Sequence, residues 1–373
     1  MLVWQRWNHF AGIKALTRKD LLCRHLGAAK ASFGAAFDIM PQTFALPGDY
    51  VAFVDAFTKA AAATAPGPRQ QAAAQPLWIM KPIGLSRGRG IFMVRDLDDV
   101  AYGEPHVVQR YLERPLTVDG HKFDLRLYVL VTSFAPTEAF IYTEGFARFS
   151  TERYTAADVS NLRVHLTNYA VQSAGSGHSV VPGPLRGLHS GAAGGSKCSL
   201  THLWAMLAAG RADAACDLAA LSPAALWPRI CDLVRRSLFS VRAGIGHQPN
   251  AFELLGFDVM LDRDARPWLL EVNSSPSLEC DHPLDERIKT RLLADLLGIV
   301  GPPDYDRAAL AEVLRRRGGG RGSDTREALN ADLARVLRGR LPRRLGEPPP
   351  QAGLFQRIAP GPEWDALLKK AKQ

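Results

Sequence analysis

Apolar positions along the chain change their spacing several times, and each change marks an element. Residues 225–243 place Leu226, Ile230, Leu233, Val234, Leu238 and Val241 mostly three and four apart, which predicts an amphipathic helix. Residues 284–298 are expected to be helical and 96–101 to form a short helix. The segment from Thr17 to Leu22 should open another helix, with Thr17 as cap and Asp20 three positions on. Short runs of β-branched and aromatic residues predict strands at 77–80, 91–94, 106–110, 122–132, 138–143, 252–261 and 267–273. Strands and helices mix without strict βαβ alternation, so the expected class is α+β with largely antiparallel sheets flanked by helices. Residues 60–76, 173–196, 318–323 and 346–352, rich in Ala, Gly, Gln, Ser and Pro, read as loops or linkers.

The chain's 373 residues, 47% of them hydrophobic, allow two or three domains with real cores. No run of 18 apolar residues occurs, so no membrane span is expected. The first residues lack the apolar stretch and cleavage site of a signal peptide. Five scattered cysteines without a CxxC pair indicate neither a zinc site nor a disulfide framework, and fit a reducing cytosol. The formal net charge is +9, and residues 301–373 hold 15 Lys/Arg against 9 Asp/Glu. Such a surface favours polyanions or is simply a solvated tail. No basic strand interleaved with aromatics supports nucleic-acid binding.

Chemistry concentrates at the end of the strand in RPWLLEVNSSPS, residues 266–277. A hairpin centred between Asp264 and Ala265 sets Asp258 opposite Glu271, with Asn273 on the same face. Two carboxylates this close call for a cation, and Mg²⁺ prefers hard oxygen ligands. Trp268, Leu270 and Val272 would then alternate on the other face. An ordinary solvated hairpin face is the plain alternative. Lys81, after the run LWIM, could reach a phosphate as a point charge. Gly84, Gly88 and Gly90 follow in a loop that could bare its N–H groups to phosphates, though it is neither a Walker A nor a Rossmann motif. Lys122, Asp124 and Arg126 share one face of a strand. Arg148, Thr167 and Asn168 add polar groups after strands, and His165 by itself reads as a satisfied hydrogen bonder.

In order, WIMKP, GRGIF, VVQRYL, KFDLRLYVLV, EGFARFS, HLTNYAVQ, FELLGFDVMLD and PWLLEVNSSPSL resemble the tubulin tyrosine ligase-like family across residues 8–298. The resemblance implies an ATP-grasp fold, two lobes holding ATP and Mg²⁺ between them. It implies an N-terminal remnant with the central lobe at 1–116 and a C-terminal lobe with the Mg²⁺ site at 117–300; residues 301–373, which it does not cover, read as a basic, partly helical or disordered tail. Lys19 and Lys81 match phosphate-contacting lysines. Gln109, Arg110, Tyr111 and Leu112 match the segment bordering the adenine. Lys122, Asp124, Thr167 and Asn168 match other nucleotide contacts, beside the loop glycines Gly88 and Gly90. Arg126 and Arg148 match catalytic arginines near the γ-phosphate and the acceptor carboxylate. Asp258, Glu271 and Asn273 match the Mg²⁺ ligands. The family forms amide bonds with ATP through an acyl phosphate, and the wording of these motifs is most similar to the polyglutamylases of axonemes and cilia. That implies free glutamate as donor, tubulin C-terminal tails as acceptor, a cytoplasmic and cytoskeletal location at cilia or basal bodies, and accessory subunits as an option. A glycine ligase, a glutamylase of another acidic protein and a non-catalytic tubulin-binding scaffold are the alternatives. Seven residues precede the NHF motif, where the family normally carries a small N-terminal subdomain, so that subdomain is expected to be reduced or outside this chain.

Overall fold

The computed structural model describes residues 6–64, 76–85, 88–173, 196–301, 304–319, 325–339 and 343–371. The chain starts with β1 (Trp7–Asn8), α1 (Lys14–Thr17), α2 (Lys19–Phe33), β2 (Thr43–Leu46) and α3 (Tyr50–Thr64). Next come β3 (Trp78–Pro82), β4 (Phe92–Val94), β5 (His106–Arg110), β6 (Thr117–Val118), β7 (His121–Phe134) and β8 (Thr137–Arg153). The short α4 (Leu162–His165) and α5 (Tyr169–Ser173) precede β9 (Lys197–Ser199), α6 (Leu200–Ala208), β10 (Ala212–Asp213) and α7 (Pro223–Val241). The rest is β11 (Ala251–Leu261), β12 (Pro267–Asn273), α8 (Pro283–Val300), α9 (Arg307–Gly318), α10 (Arg326–Val336), β13 (Phe355–Ala359) and α11 (Pro362–Lys370).

Two sheets result. The smaller has the order β2-β5-β3-β4, is antiparallel, and packs Trp78, Met80 and Val108 against Phe53 and Phe57 of α3. The larger holds the other nine described strands; β1 runs parallel to β11, and the remaining described pairs are antiparallel. Period-two alternation gives this sheet two apolar faces. Phe123, Leu125, Leu127, Val129 and Val131 of β7 pack with α1, α2, α6, α7 and α11, while Tyr128 and Leu130 pack against α8. On that second face β7 changes from charged (Lys122, Asp124, Arg126) to apolar within one strand. The fold is the expected α+β class, largely antiparallel sheets flanked by helices.

Several local expectations change. Thr17 does not cap a helix: it ends α1, and its hydroxyl donates to the Ile13 carbonyl at 3.3 Å. Arg18 takes the N-cap place of α2 in an extended conformation, and its guanidinium holds Asp20. Residues 60–64, read as linker, complete α3, as their alanines favour once Phe53 and Phe57 anchor the helix; residues 65–75 lie outside the described set, as do 174–195 and 320–324. The strand expected at 138–143 continues to Arg153. Gly145 lets it pass β7 closely, since a Cβ there would lie 2.5 Å from the Arg126 carbonyl. The 301–373 segment contains α9 and α10, then β13, which adds to the edge of β8, and α11, whose Trp364 and Leu367 enter the main core. Residues 6–39 likewise pack on the larger sheet, through Leu16, Leu22 and Leu26.

Candidate active site

The β11–β12 hairpin sets the first half of the site. Asp258 does pair with Glu271, but the turn is tighter than the symmetric reading, because Val259 pairs with Leu269. Leu270 is the extra residue of a β-bulge between these pairs. The bulge resets the alternation. Leu269 and Val272 enter the core, whereas Leu270 and Glu271 both line the cleft, so the apolar face expected for Trp268, Leu270 and Val272 does not form. Trp268 instead donates to Asp262 and stacks on Arg266.

Strand register carries the row onward: Glu271 opposes Asp258, which opposes Arg126 on β7. Two residues along β7, Asp124 opposes Arg148 on β8. Arg126 grips Asp258 with two bonds of 2.6 and 3.1 Å. Arg148 reaches Asp258 at 2.9 Å and Asp124 with both ends of its guanidinium. Burial alone would raise the Asp258 carboxyl, but the two guanidiniums outweigh it and hold it well below the usual carboxylate range. Asn273 lies beside Glu271, its amide nitrogen 3.4 Å from Oε1.

The smaller sheet supplies the facing wall. Lys81 donates to Gln109 Oε1 at 2.7 Å, and Gln109 donates to Thr43 at 2.9 Å. Burial pulls the Lys81 ammonium down to about 8. Lys19, first residue of α2, reaches the Leu85 carbonyl at 3.3 Å and Glu271 at 3.5 Å. Gly88 has φ +78° and lies against α5; a Cβ would meet Val171 at 2.7 Å. Gly90, also left-handed, packs on Pro82. Ser86 and Arg87 of this loop lie outside the described residues.

These walls enclose a cleft of about 790 Å³ counted to its open mouth. Lys19, Lys81, Gly88, Asp258 and Glu271 line one part of it. Gln109, Arg110, Tyr111 and Leu112 line another, and Lys122, Asp124, Arg148, Thr167 and Asn168 complete it. Gly90 is not in the lining. Arg126 and Asn273 line an adjoining pocket of about 1490 Å³, which shares Arg148, Asn168 and Glu271 with the first. Lys122 is buried: it donates to Tyr111 Oη (2.7 Å) and the His165 carbonyl (2.8 Å), and burial lowers it to about 7 despite Asp124. His165, read singly as an ordinary hydrogen bonder, also lines the cleft and bonds Tyr111 Oη at 2.9 Å. Sequence reasoning missed the apolar lining: Ile79, Leu166, Met260 and Leu270. Ile79 and Leu166 pack with Tyr111 in one small cluster, a slot suited to a flat ring, but they come from three distant segments.

The family model for the tubulin-tyrosine ligase family matches residues 1–308. The chain belongs to this family. Among curated members, the human tubulin polyglutamylase TTLL5 is 36% identical over 308 residues, 80% of this chain and 22% of its own length. The Caenorhabditis elegans tubulin polyglutamylase ttll-5 is 36% identical over 353 residues, 89% of this chain and 46% of its own. The human probable tubulin polyglutamylase TTLL2 is 32% identical over 340 residues, covering 91% and 52%. The chain thus spans about a fifth to a half of these relatives' lengths. Membership in this ligase family implies a nucleotide requirement in general.

The site's donors suit that requirement. Among the described residues no cluster of three or more His, Cys, Asp or Glu could hold a metal alone. Mg²⁺ is commonly held by one or two carboxylates plus substrate phosphates and water, and the Asp258–Glu271 pair with Asn273 offers such an oxygen set. Three of the four lone-pair positions of Asp258 already accept from arginines, while among the described residues Glu271 makes only side-chain contacts of 3.4 Å and longer. Glu271 therefore has the larger free capacity.

Proposed function

We infer that the chain is the catalytic unit of an ATP- and Mg²⁺-dependent ligase that joins glutamate to glutamate side chains of tubulin C-terminal tails. The observation carrying this is the Glu271–Asp258–Arg126 row, with Lys19 and Lys81 converging on the same cleft. Relatives named tubulin polyglutamylases supply the substrate class. The central lobe then lies within 1–116, whose residues 6–39 pack on the larger sheet, the second lobe at 117–300, and the basic 301–373 segment suits acidic tails through an attraction that weakens with salt. A cytoskeletal, ciliary location follows from that substrate, and accessory subunits are compatible with it.

In this reading the apolar slot at Ile79, Tyr111 and Leu166 receives the base, with backbone groups of 109–112 at its edge. Lys19, Lys81 and the glycine loop at Gly88 and Gly90 hold phosphates. Lys122 and Asp124 brace the floor, and Thr167 and Asn168 hold the sugar–phosphate edge. Mg²⁺ at Asp258, Glu271 and Asn273 would neutralise phosphate charge. Arg126 and Arg148, already oriented by Asp258 and Asp124, present fixed donors to a carboxylate or phosphate, so little reorganisation remains for the reaction itself. The buried setting strengthens each of these interactions.

The test is incorporation of labelled glutamate, glycine and tyrosine, each separately, into purified tubulin with Mg-ATP, using Glu271→Gln as the control. Glutamate transfer lost in the variant supports the reading. Glycine transfer overturns the substrate, and nucleotide binding without any transfer overturns the activity of this chain by itself.

A further inference from the structure

The smaller sheet turns one face to α3 and the other to the cleft. On the cleft face Thr43 of β2 directly opposes Gln109 of β5. Gln109 also opposes Ile79 of β3, so Lys81, two residues on, lies diagonal to it on the same face. A lysine ammonium has hydrogens only to give, so Gln109 must turn its carbonyl oxygen towards Lys81, and it does so at 2.7 Å. The Gln109 amide nitrogen, on a residue 3% exposed, then needs an acceptor of its own. Thr43 Oγ1 accepts from it at 2.9 Å. The Thr43 hydroxyl hydrogen is engaged elsewhere, donated to the Pro41 carbonyl at 2.6 Å. Three bonds thus run in one direction, from Lys81 through Gln109 and Thr43 to Pro41. Thr43 is not among the lining residues of the cleft. It lines a recess of about 300 Å³ behind it, with Lys19, Lys81, Gln109 and Glu271.

We propose that Thr43 is a positioning residue for phosphate binding: its hydroxyl fixes the Gln109 amide with the oxygen towards Lys81, and so aims the Lys81 ammonium into the cleft. This rests on the ligase reading above, in which Lys81 holds a phosphate. The two ends of a glutamine amide are nearly equal in shape, and their partners decide which way round it sits. Reversed, the amide would set N–H groups against the Lys81 ammonium and its oxygen against the Thr43 oxygen. Thr43 excludes that orientation because Pro41 holds its hydrogen. With Gln109 Oε1 taking one hydrogen of Lys81, the others can turn to phosphate oxygens. A donor fixed in this way binds an anion with little rearrangement.

The experiment is calorimetric titration of the full chain with a non-hydrolysable ATP analogue and Mg²⁺, and separately with adenosine, which lacks phosphate. Thr43→Val keeps the branched shape and strand preference of threonine but removes the hydroxyl. It should weaken the analogue about tenfold, within the worth of one hydrogen bond to a charged group, and leave adenosine unchanged. Thr43→Ser keeps the hydroxyl and should bind the analogue as the wild-type chain does. Because Thr43 acts through Gln109, the two sites should not add: in a Gln109→Met background, Thr43→Val should change analogue affinity little further. Equal loss of analogue and adenosine marks a loosened sheet and overturns the role. So do a Thr43→Ser variant no better than Thr43→Val, and additive effects of the two sites. If Thr43→Val fails to fold, the same outcomes are read from Thr43→Ala. Full analogue binding by Thr43→Val overturns this role alone; a wild-type chain that binds no nucleotide overturns the ligase reading and the role with it.

Discussion

Lys122 sits deeper in the cleft than its place on a strand face requires. Alternating with Phe123, it belongs to a functional or solvated front, and it is 2% exposed and bonded to Tyr111 and His165. Its folded pKa of about 7 lies below the ordinary 10.5. Below pH 7 it is charged in both states; between about 7 and 10.5 only the unfolded chain holds the proton. Stability should therefore rise with pH across that window, by up to about 1.4 kcal/mol per pH unit, and level off above it. Urea unfolding at pH 7, 8 and 9 should show this slope in the wild-type chain, with a second contribution above pH 8 from Lys81, which burial lowers to about 8; Lys122→Met should remove the Lys122 part and leave that of Lys81. Equal slopes would mean the ammonium stays charged when buried. Gly88 makes a second residue-scale prediction. Its left-handed φ and the 2.7 Å approach to Val171 leave no room for a Cβ. Gly88→Ala should weaken nucleotide binding in calorimetric titration while costing about 1–2 kcal/mol in stability.

Elements were legible wherever a short-range pattern was enough. The strands at 106–110 and 267–273 and the helix over 225–243 emerge close to their expected limits, because their periodicity is itself the burial pattern. Pro228 sits inside that helix without ending it. The bulge was not legible, since a period-two pattern holds no mark for an inserted residue. Its consequence can be tested. Removing Leu270 restores simple alternation, with Leu269 and Val272 inward and Glu271 still facing Asp258. The deletion variant should unfold cooperatively in calorimetry and lose about tenfold in nucleotide affinity, since one apolar wall side chain is worth roughly 1.5 kcal/mol. Loss of folding would show that the bulge is needed for the strand itself.

At the scale of the molecule, residues 343–371 read as tail by composition and are built into the fold. Phe355, Ile358, Trp364 and Leu367 fill core positions, and Arg343 bonds the buried Glu138. Composition misled here because the arginines of α9 and α10 raise the average charge over a stretch whose last 20 residues are amphipathic. Trp364→Ala should lower stability by about 3–5 kcal/mol in denaturant unfolding, with nucleotide affinity unchanged. A variant of wild-type stability would mean that α11 is dispensable to the core.

The sequence by itself determined what alternation and neighbourhood encode: the class of fold, most strands, the pairing of Asp258 with Glu271 across a short hairpin, and the common face of Lys122, Asp124 and Arg126. These follow from geometry within a few residues. Only the tertiary structure decided that Arg126 and Arg148 both own Asp258, that Lys122 is buried under Tyr111, and that Thr43 and Lys81 meet at the Gln109 amide. Such contacts depend on strand order and on which helix covers which face. A local pattern cannot carry that information, because many sheet orders bury the same alternating strand equally well.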